Sequence, residues 1–123
     1  MAQYWALMWD IKPGTQDAVR QAFKEYGRPD HTIRDDDGNE VGTLLSTQVF
    51  MKDNTVIRVV ETTDDVPLPV LGAHMGRQPA IRELEDKLDQ YVAEPRDMST
   101  SDGARAFFIK STMELLVTRR HDE

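Results

Sequence analysis

Two side chains in this sequence stand where their chemistry would matter most. Arg58 lies between Ile57 and Val59, in a stretch that alternates Val56, Arg58 and Val60 against Ile57, Val59 and Glu61. A guanidinium carried into such a strand brings five N–H donors and a permanent charge, so its burial is costly without oxygen partners. Two arrangements satisfy it. One is a structural pair with Glu61, Glu114 or another carboxylate, or a place on a rim. The other is a cation that binds a phenolate or enolate oxygen of a ligand. His74 lies among Val70, Leu71 and Met75, its neighbours on one helix face. An imidazole titrates near neutrality and suits proton transfer at an enolising carbon, whereas a half-buried helix histidine with no such duty is the plainer alternative.

The remaining candidates are weaker. His31 sits beside Asp30 in a polar loop that could close over a pocket, and His121 is near the end of the sequence. Three histidines in three separate segments do not make a metal site, and none is expected. Trp5, Trp9, Phe23, Tyr26 and Phe50 offer flat apolar area to a polycyclic ligand, or simply core. Ser46 and Gln48 are polar positions in an otherwise apolar strand and could orient ligand carbonyls. Ser46 has neither a nucleophile elbow nor an adjacent base. Glycine-rich phosphate loops are absent, so nicotinamide, flavin and ATP sites lack support and no cofactor is expected. Asp35-Asp36-Asp37-Gly38 resembles part of a calcium loop, but Ile33 and Leu44 occupy positions that such a loop gives to oxygen ligands. A solvated turn is the reading.

The elements that must position these groups follow from periodicity. Residues 3–11 set Tyr4, Ala6 and Met8 against Trp5, Leu7, Trp9 and Ile11, a strand apolar on both faces. Pro13-Gly14 turns the chain and Thr15 can cap a helix whose stripe is Val19, Ala22, Phe23 and Tyr26, with Gly27 as its stop. Residues 28–40 are polar. Strands over 41–52 and 55–63, joined by Asp53-Asn54, form an antiparallel hairpin. A helix over 68–76 breaks at Gln78-Pro79, and the next one carries Ile81, Leu84, Leu88 and Tyr91 on one side. Glu83 and Lys87 make an i, i+4 pair on its wet face. Pro95 ends that region, and Ser99 with Asp102 caps a short helix over 100–110. The alternation of Met113, Leu115 and Val117 predicts a last strand over 112–118. The order β-α-β-β-α-(α)-β is the split βαβ, ferredoxin-like α+β plan, with an antiparallel sheet and helices on one face. A second copy covering the other face, as a homodimer, is the expected remedy for a bare apolar sheet.

Composition sets limits. The 123 residues are expected to form one domain, 1–123, with 39% hydrophobic and 30% charged residues. No apolar run approaches the roughly 20 residues of a membrane span, and the first residues enter a strand pattern without a basic leader. Zero cysteines exclude disulfides and thiolate chemistry, and a cytoplasmic location is expected. A net charge of −7 argues against a nucleic-acid surface.

The segment Glu94-Pro95-Arg96-Asp97-Met98-Ser99-Thr100-Ser101-Asp102-Gly103-Ala104-Arg105-Ala106-Phe107-Phe108 resembles the tail signature of the SchA/CurD-like family. Trp5-Ala6-Leu7-Met8, Asn54-Thr55-Val56-Ile57-Arg58-Val59 and Arg77-Gln78-Pro79 extend the likeness over nearly the whole chain. That family is found with aromatic polyketide and spore-pigment biosynthesis. The resemblance implies an aromatic polyketide intermediate as ligand, polyketide synthase components as further partners, and a homodimer of the dimeric α/β barrel type. More broadly the chain is similar to small aromatic polyketide cyclases, in Tyr4-Trp5-Ala6-Leu7-Met8 and in Pro79 with Tyr91. Where those cyclases place His-Asp after the first helix this chain has Tyr26-Gly27, and where they place His on the third strand it has Arg58. A cyclase or aromatase acting by acid–base and oxyanion chemistry is the leading expectation, with Arg58 and His74, read from their own surroundings, as its catalytic candidates. The other two are a cofactor-independent, quinone-forming monooxygenase and a non-catalytic partner of the synthase.

Overall fold

The computed structural model describes residues 2–63 and 66–121. Its elements are β1 (Ala2–Asp10), α1 (Gln16–Glu25), β2 (Thr32–Arg34), β3 (Glu40–Lys52), β4 (Thr55–Thr63), α2 (Leu68–Arg77), α3 (Pro79–Leu88) and α4 (Ser101–Ser111). The strands form one antiparallel sheet in the order β1-β4-β3-β2. This is an α+β architecture consistent with the ferredoxin-like plan. No helix among the described residues is long and apolar enough to cross a membrane.

Strand alternation sorts the sheet into two chemically distinct faces. Register puts Leu7, Arg58 and Val49 in one row and Trp9, Val56 and Met51 in the next, all on the face that joins the core. The opposite face carries Ala6, Val59 and Gln48, then Met8, Ile57 and Phe50. On that side Met8 is 46% exposed and Phe50 60% exposed. The first strand is therefore apolar on both sides but buried on only one within a single chain. Asp53 turns the β3–β4 hairpin with a φ of 53°, a conformation that short polar residues tolerate.

Helix boundaries follow local chemistry, with some departures. Thr15 holds the N-cap position of α1, yet its hydroxyl donates back to the Lys12 carbonyl and caps no helix N–H. That helix ends at Glu25 with Tyr26 extended, one residue before Gly27. Gln78 is extended ahead of Pro79, which separates α2 from α3 as the sequence predicts. The cap of α4 is Thr100, whose Oγ1 accepts from the Gly103 N–H at 3.0 Å. Ser99 is drawn to Asp97 instead, and Asp102 pairs with Arg105. Lys87 reaches Glu25 on α1 rather than its own helix neighbour. α2 and α4 meet closely because α2 offers glycines. A Cβ on Gly76 would lie 2.5 Å from the Ala104 Cβ, and one on Gly72 would lie 3.0 Å from the Phe108 Cβ.

Two expectations about the elements themselves also fail. Residues 28–40 contain a short strand, β2, which buries Ile33 completely; one apolar residue in three gives no periodic signal. Residues 112–118 form no strand. Thr112 bridges Leu7, and the Met113 N–H donates to the Ala6 carbonyl at 2.7 Å, but pairing goes no further. Leu115-Leu116-Val117 breaks the alternation, and Leu116 is 83% exposed, so no face of this segment is buried to favour a strand.

Candidate functional site

The site grows from a charged cluster beneath the sheet. Arg58 points from β4 toward the helices, where its Nη2 donates to Glu85 Oε1 at 3.1 Å. Glu85 lies in α3 on the same side as Ile81, Leu84 and Leu88, all buried. Its second oxygen, Oε2, accepts from Arg96 Nη2. The side chains of Arg58, Glu85 and Arg96 are 3%, 1% and 5% exposed. One carboxylate thus stands between two buried guanidiniums. Arg96 Nε reaches the rim carboxylate of Asp89 at 3.3 Å; burial pushes that carboxyl above its usual range although Arg96 pulls it down.

Aromatic faces complete the cluster. The Arg58 guanidinium lies 5.3 Å from the Trp9 ring centroid and 5.6 Å from that of Phe23, and Arg96 lies 4.6 Å from that of Phe107. These are cation–π distances, which offset part of the surplus positive charge. Trp9 and Phe107 meet edge to face at 5.7 Å.

Over this cluster a cleft of about 550 Å³ opens between β1 and α4. Met8, Trp9, Val92, Pro95, Ala106 and Phe107 give it apolar walls, and Asp10, Glu94, Arg96, Asp97 and Lys110 supply charge. Backbone bonds fix its floor to the end of β1: the Lys12 N–H donates to Tyr91 at 2.7 Å and the Ala93 N–H to Asp10 at 2.9 Å. At the rim Lys110 pairs with Glu94. Asp10 accepts from the Thr55 hydroxyl, and the Ser99 hydroxyl and N–H hold the Asp97 carboxyl below its usual range. Such a cleft can receive a flat, oxygenated molecule of several rings.

Of the candidate site residues read from the sequence, Trp9 alone lines this cleft. Arg58 sits behind Trp9 in the cluster. Trp5, Phe23 and Tyr26 are partly buried against the core, with Phe23 and Tyr26 edge to face at 6.1 Å. Gln48 and Phe50 occupy the outer sheet face, where Ser46 donates to Glu61 at 2.8 Å. His74 is buried elsewhere, in α2 against β2. Its Nδ1 accepts from the Arg34 N–H at 3.4 Å and its Nε2 faces the Asp30 carbonyl at 3.1 Å. Desolvation lowers its pKa, outweighing the Asp30 carbonyl, which favours the charged form. His31 and His121 are exposed.

Sequence reasoning missed Arg96, Glu85 and Phe107. Glu85 was detectable as the one carboxylate among the apolar i, i+3, i+4 and i+7 positions beginning at Ile81. Among the described residues two buried side-chain polar atoms have no hydrogen-bond partner, Trp5 Nε1 and Arg96 Nη1.

A family model described as SchA/CurD like domain matches residues 2–120. Over 108 residues, 88% of this chain, the sequence is 33% identical to the "42.8 kDa protein in whiE locus" of Streptomyces coelicolor. It is 32% identical to "Polyketide synthase CurD" of Streptomyces cyaneus and 28% identical to "Protein SchA" of Streptomyces halstedii over matches of the same length. The matches take in 25%, 28% and 27% of those proteins, so the chain spans about a quarter of their length. No solved structure matches significantly.

The buried cluster predicts an asymmetric mutational response. Glu85→Leu leaves two buried guanidiniums facing each other and is expected to cost about 3–5 kcal/mol in urea unfolding. The triple replacement Arg58→Met, Glu85→Leu, Arg96→Met removes every charge and should recover most of that loss. A Glu85→Leu protein as stable as wild type would contradict this account.

His74 predicts a pH dependence. Its folded-state pKa is depressed, so the unfolded chain binds the proton more readily. The contribution is therefore complete above the unfolded value of about 6.5 and is lost as pH falls through the lower folded value. His74→Gln can keep both backbone bonds without titrating. Its stability relative to wild type should rise on going from pH 7 to pH 5; parallel curves would contradict this.

Proposed function

The chain belongs to the SchA/CurD like domain family, and on that premise we propose that it serves aromatic polyketide biosynthesis, of the spore-pigment type, by holding a poly-β-ketone or polycyclic phenol in the β1–α4 cleft and promoting its cyclisation and aromatisation. The observation that carries this reading is the cleft itself. Its aromatic walls and charged floor are built largely from the 92–97 run and α4, and a relative over the same region is named a polyketide synthase.

The chemistry asks little beyond placement. A methylene between two ketones gives up a proton to a rim carboxylate, for which Asp10 is the candidate. The enolate carbon then bonds to a ketone carbon, the new alkoxide takes a proton from solvent, and loss of water aromatises the ring. The guanidinium cluster favours each oxyanion stage. In this scheme Arg58 is a positioning residue that acts through Glu85 and Trp9. His74 has both ring nitrogens bonded to backbone groups and holds β2 to α2.

The partner is a second copy of the chain. Met8, Ile57, Val59 and Phe50 make an apolar band on the outer sheet face, beside polar Gln48 and the Tyr4–Glu61–Ser46 hydrogen bonds. Burying such a band favours association. Light scattering should give twice the 14.1 kDa chain mass, and Phe50→Glu should halve it. A monomeric wild type at micromolar concentration would remove the homodimer.

Metabolite profiling of a producing strain tests the chemistry. Deleting the gene should alter the ring pattern of the product, and Ala106→Trp, which fills the cleft from an exposed position on α4, should reproduce that change while the protein stays folded. An accumulated, unoxidised phenol would favour oxygenation instead. A lower titre of unchanged product would favour a non-catalytic partner.

A further inference from the structure

We propose that Arg96 Nη1 is the donor that binds an anionic oxygen of the cleft's ligand, so that the site selects a phenolate or enolate over the corresponding neutral ether or ketone. The inference rests on the reading of the cleft as a polyketide site and adds to it the charge state of the ligand and the residue that reads it.

Three observations converge on this atom. First, the other two nitrogens of the guanidinium are engaged, Nε by Asp89 and Nη2 by Glu85, whereas Nη1 is buried without a partner among the described residues. Buried donors on charged groups are rarely left unpaired, because the lost hydration is not recovered. Second, Arg96 lines the cleft and its guanidinium lies against Phe107, which lines it too. Nη1 has almost no accessible surface as the side chains stand, so an oxygen reaches it only through a small shift of the cleft wall, and its ring would then lie along the Trp9 and Phe107 side chains.

The third observation is charge. Glu85 is shared by Arg58 and Arg96, so the buried cluster carries one more positive charge than negative. A carbonyl could satisfy the donor, but only an anion also answers the surplus charge. The acidic groups at the mouth do not cancel it. Glu94 is paired with Lys110, and Asp10 and Asp97 are exposed, where water screens them. Asp89 compensates partly, from a side chain 42% exposed. The cation that matters is the one out of water.

Glu85 is then a positioning residue: by taking Nη2 it leaves Nη1 as the unpaired donor. A Lys at position 96 would keep the charge but not this division of donors, since its ammonium has no fixed fork.

The probe is 2-hydroxyanthraquinone, whose visible spectrum reports ionisation of its single hydroxyl, compared with 2-methoxyanthraquinone. Bound to the wild-type protein, the hydroxyl should ionise about one pH unit lower than in free solution, with the phenolate bound about tenfold tighter than the methyl ether. Arg96→Met should bind both compounds alike. Wild-type binding of both compounds with equal affinity and an unshifted hydroxyl would overturn the role of Arg96 and leave the cleft reading standing. Binding of neither quinone would overturn both. The wild-type comparison can still overturn the role of Arg96 even if Arg96→Met fails to fold.

Discussion

The structure depends on one carboxylate placed between two guanidiniums under the sheet. Glu85 joins a strand residue 27 positions earlier to a loop residue 11 positions later, so β4, α3 and the segment before α4 are held by the same two oxygens. Removing three such charges from water costs several kcal/mol each, and mutual attraction offsets that only when the geometry is good. An apolar contact tolerates sliding, but this arrangement does not. It fixes the rotation of α3, since Glu85 must face inward with Ile81, Leu84 and Leu88, and it fixes where the 92–97 run crosses β1.

The cleft follows from that constraint together with two close backbone approaches. The Asp97 carbonyl lies over the first turn of α4, where a Cβ on residue 103 would come within 1.9 Å of its oxygen, so glycine is required there. Gly72 and Gly76 seat α2 against Ala104 and Phe108 of the same helix. With both its start and its flank fixed, α4 presents Phe107 to Trp9 on one face and Phe108 to the core on another. Phe108 is completely buried, whereas Phe107 remains available at the cleft. Adjacent residues with different duties are what a helix rotation of about 100° per residue provides.

How much of this the sequence disclosed depended on periodicity. β1, β3 and β4 were legible from alternation, and α1 to α3 from apolar stripes and from Gln78-Pro79. β2 was not, because three residues with one buried isoleucine carry no period, and the tail misled because Met113, Leu115 and Val117 alternate while Leu116 does not fit. Arg58 was legible as a buried cation in need of oxygen, but its partner was not. Strand parity could have ruled out Glu61, which lies three residues away and so points to the opposite face. The true partner lay on another element, and pairing between elements has no local signature. Arg96 fell within the segment 94–108, which was read for its cap and its family likeness. Its role arises only where the loop meets α3.

The two faces of the sheet are not independent, because Met8 belongs to both. It stands on the outer face beside Ile57 in register and also forms part of the cleft wall. Its 46% exposure is therefore surface that either a second copy or a ligand can cover. A copy docked on the Phe50–Ile57–Met8 row would bury Met8 from outside and narrow the cleft at that end. The Arg58–Glu85–Arg96 cluster lies on the inner face, behind Trp9, and association would leave its partners unchanged. Assembly would thus adjust the shape and water content of the mouth, while the charge of the buried cluster stays set by the core. Drying a cleft strengthens every electrostatic interaction within it, so association on one side of β1 would raise the selectivity of a cation on the other.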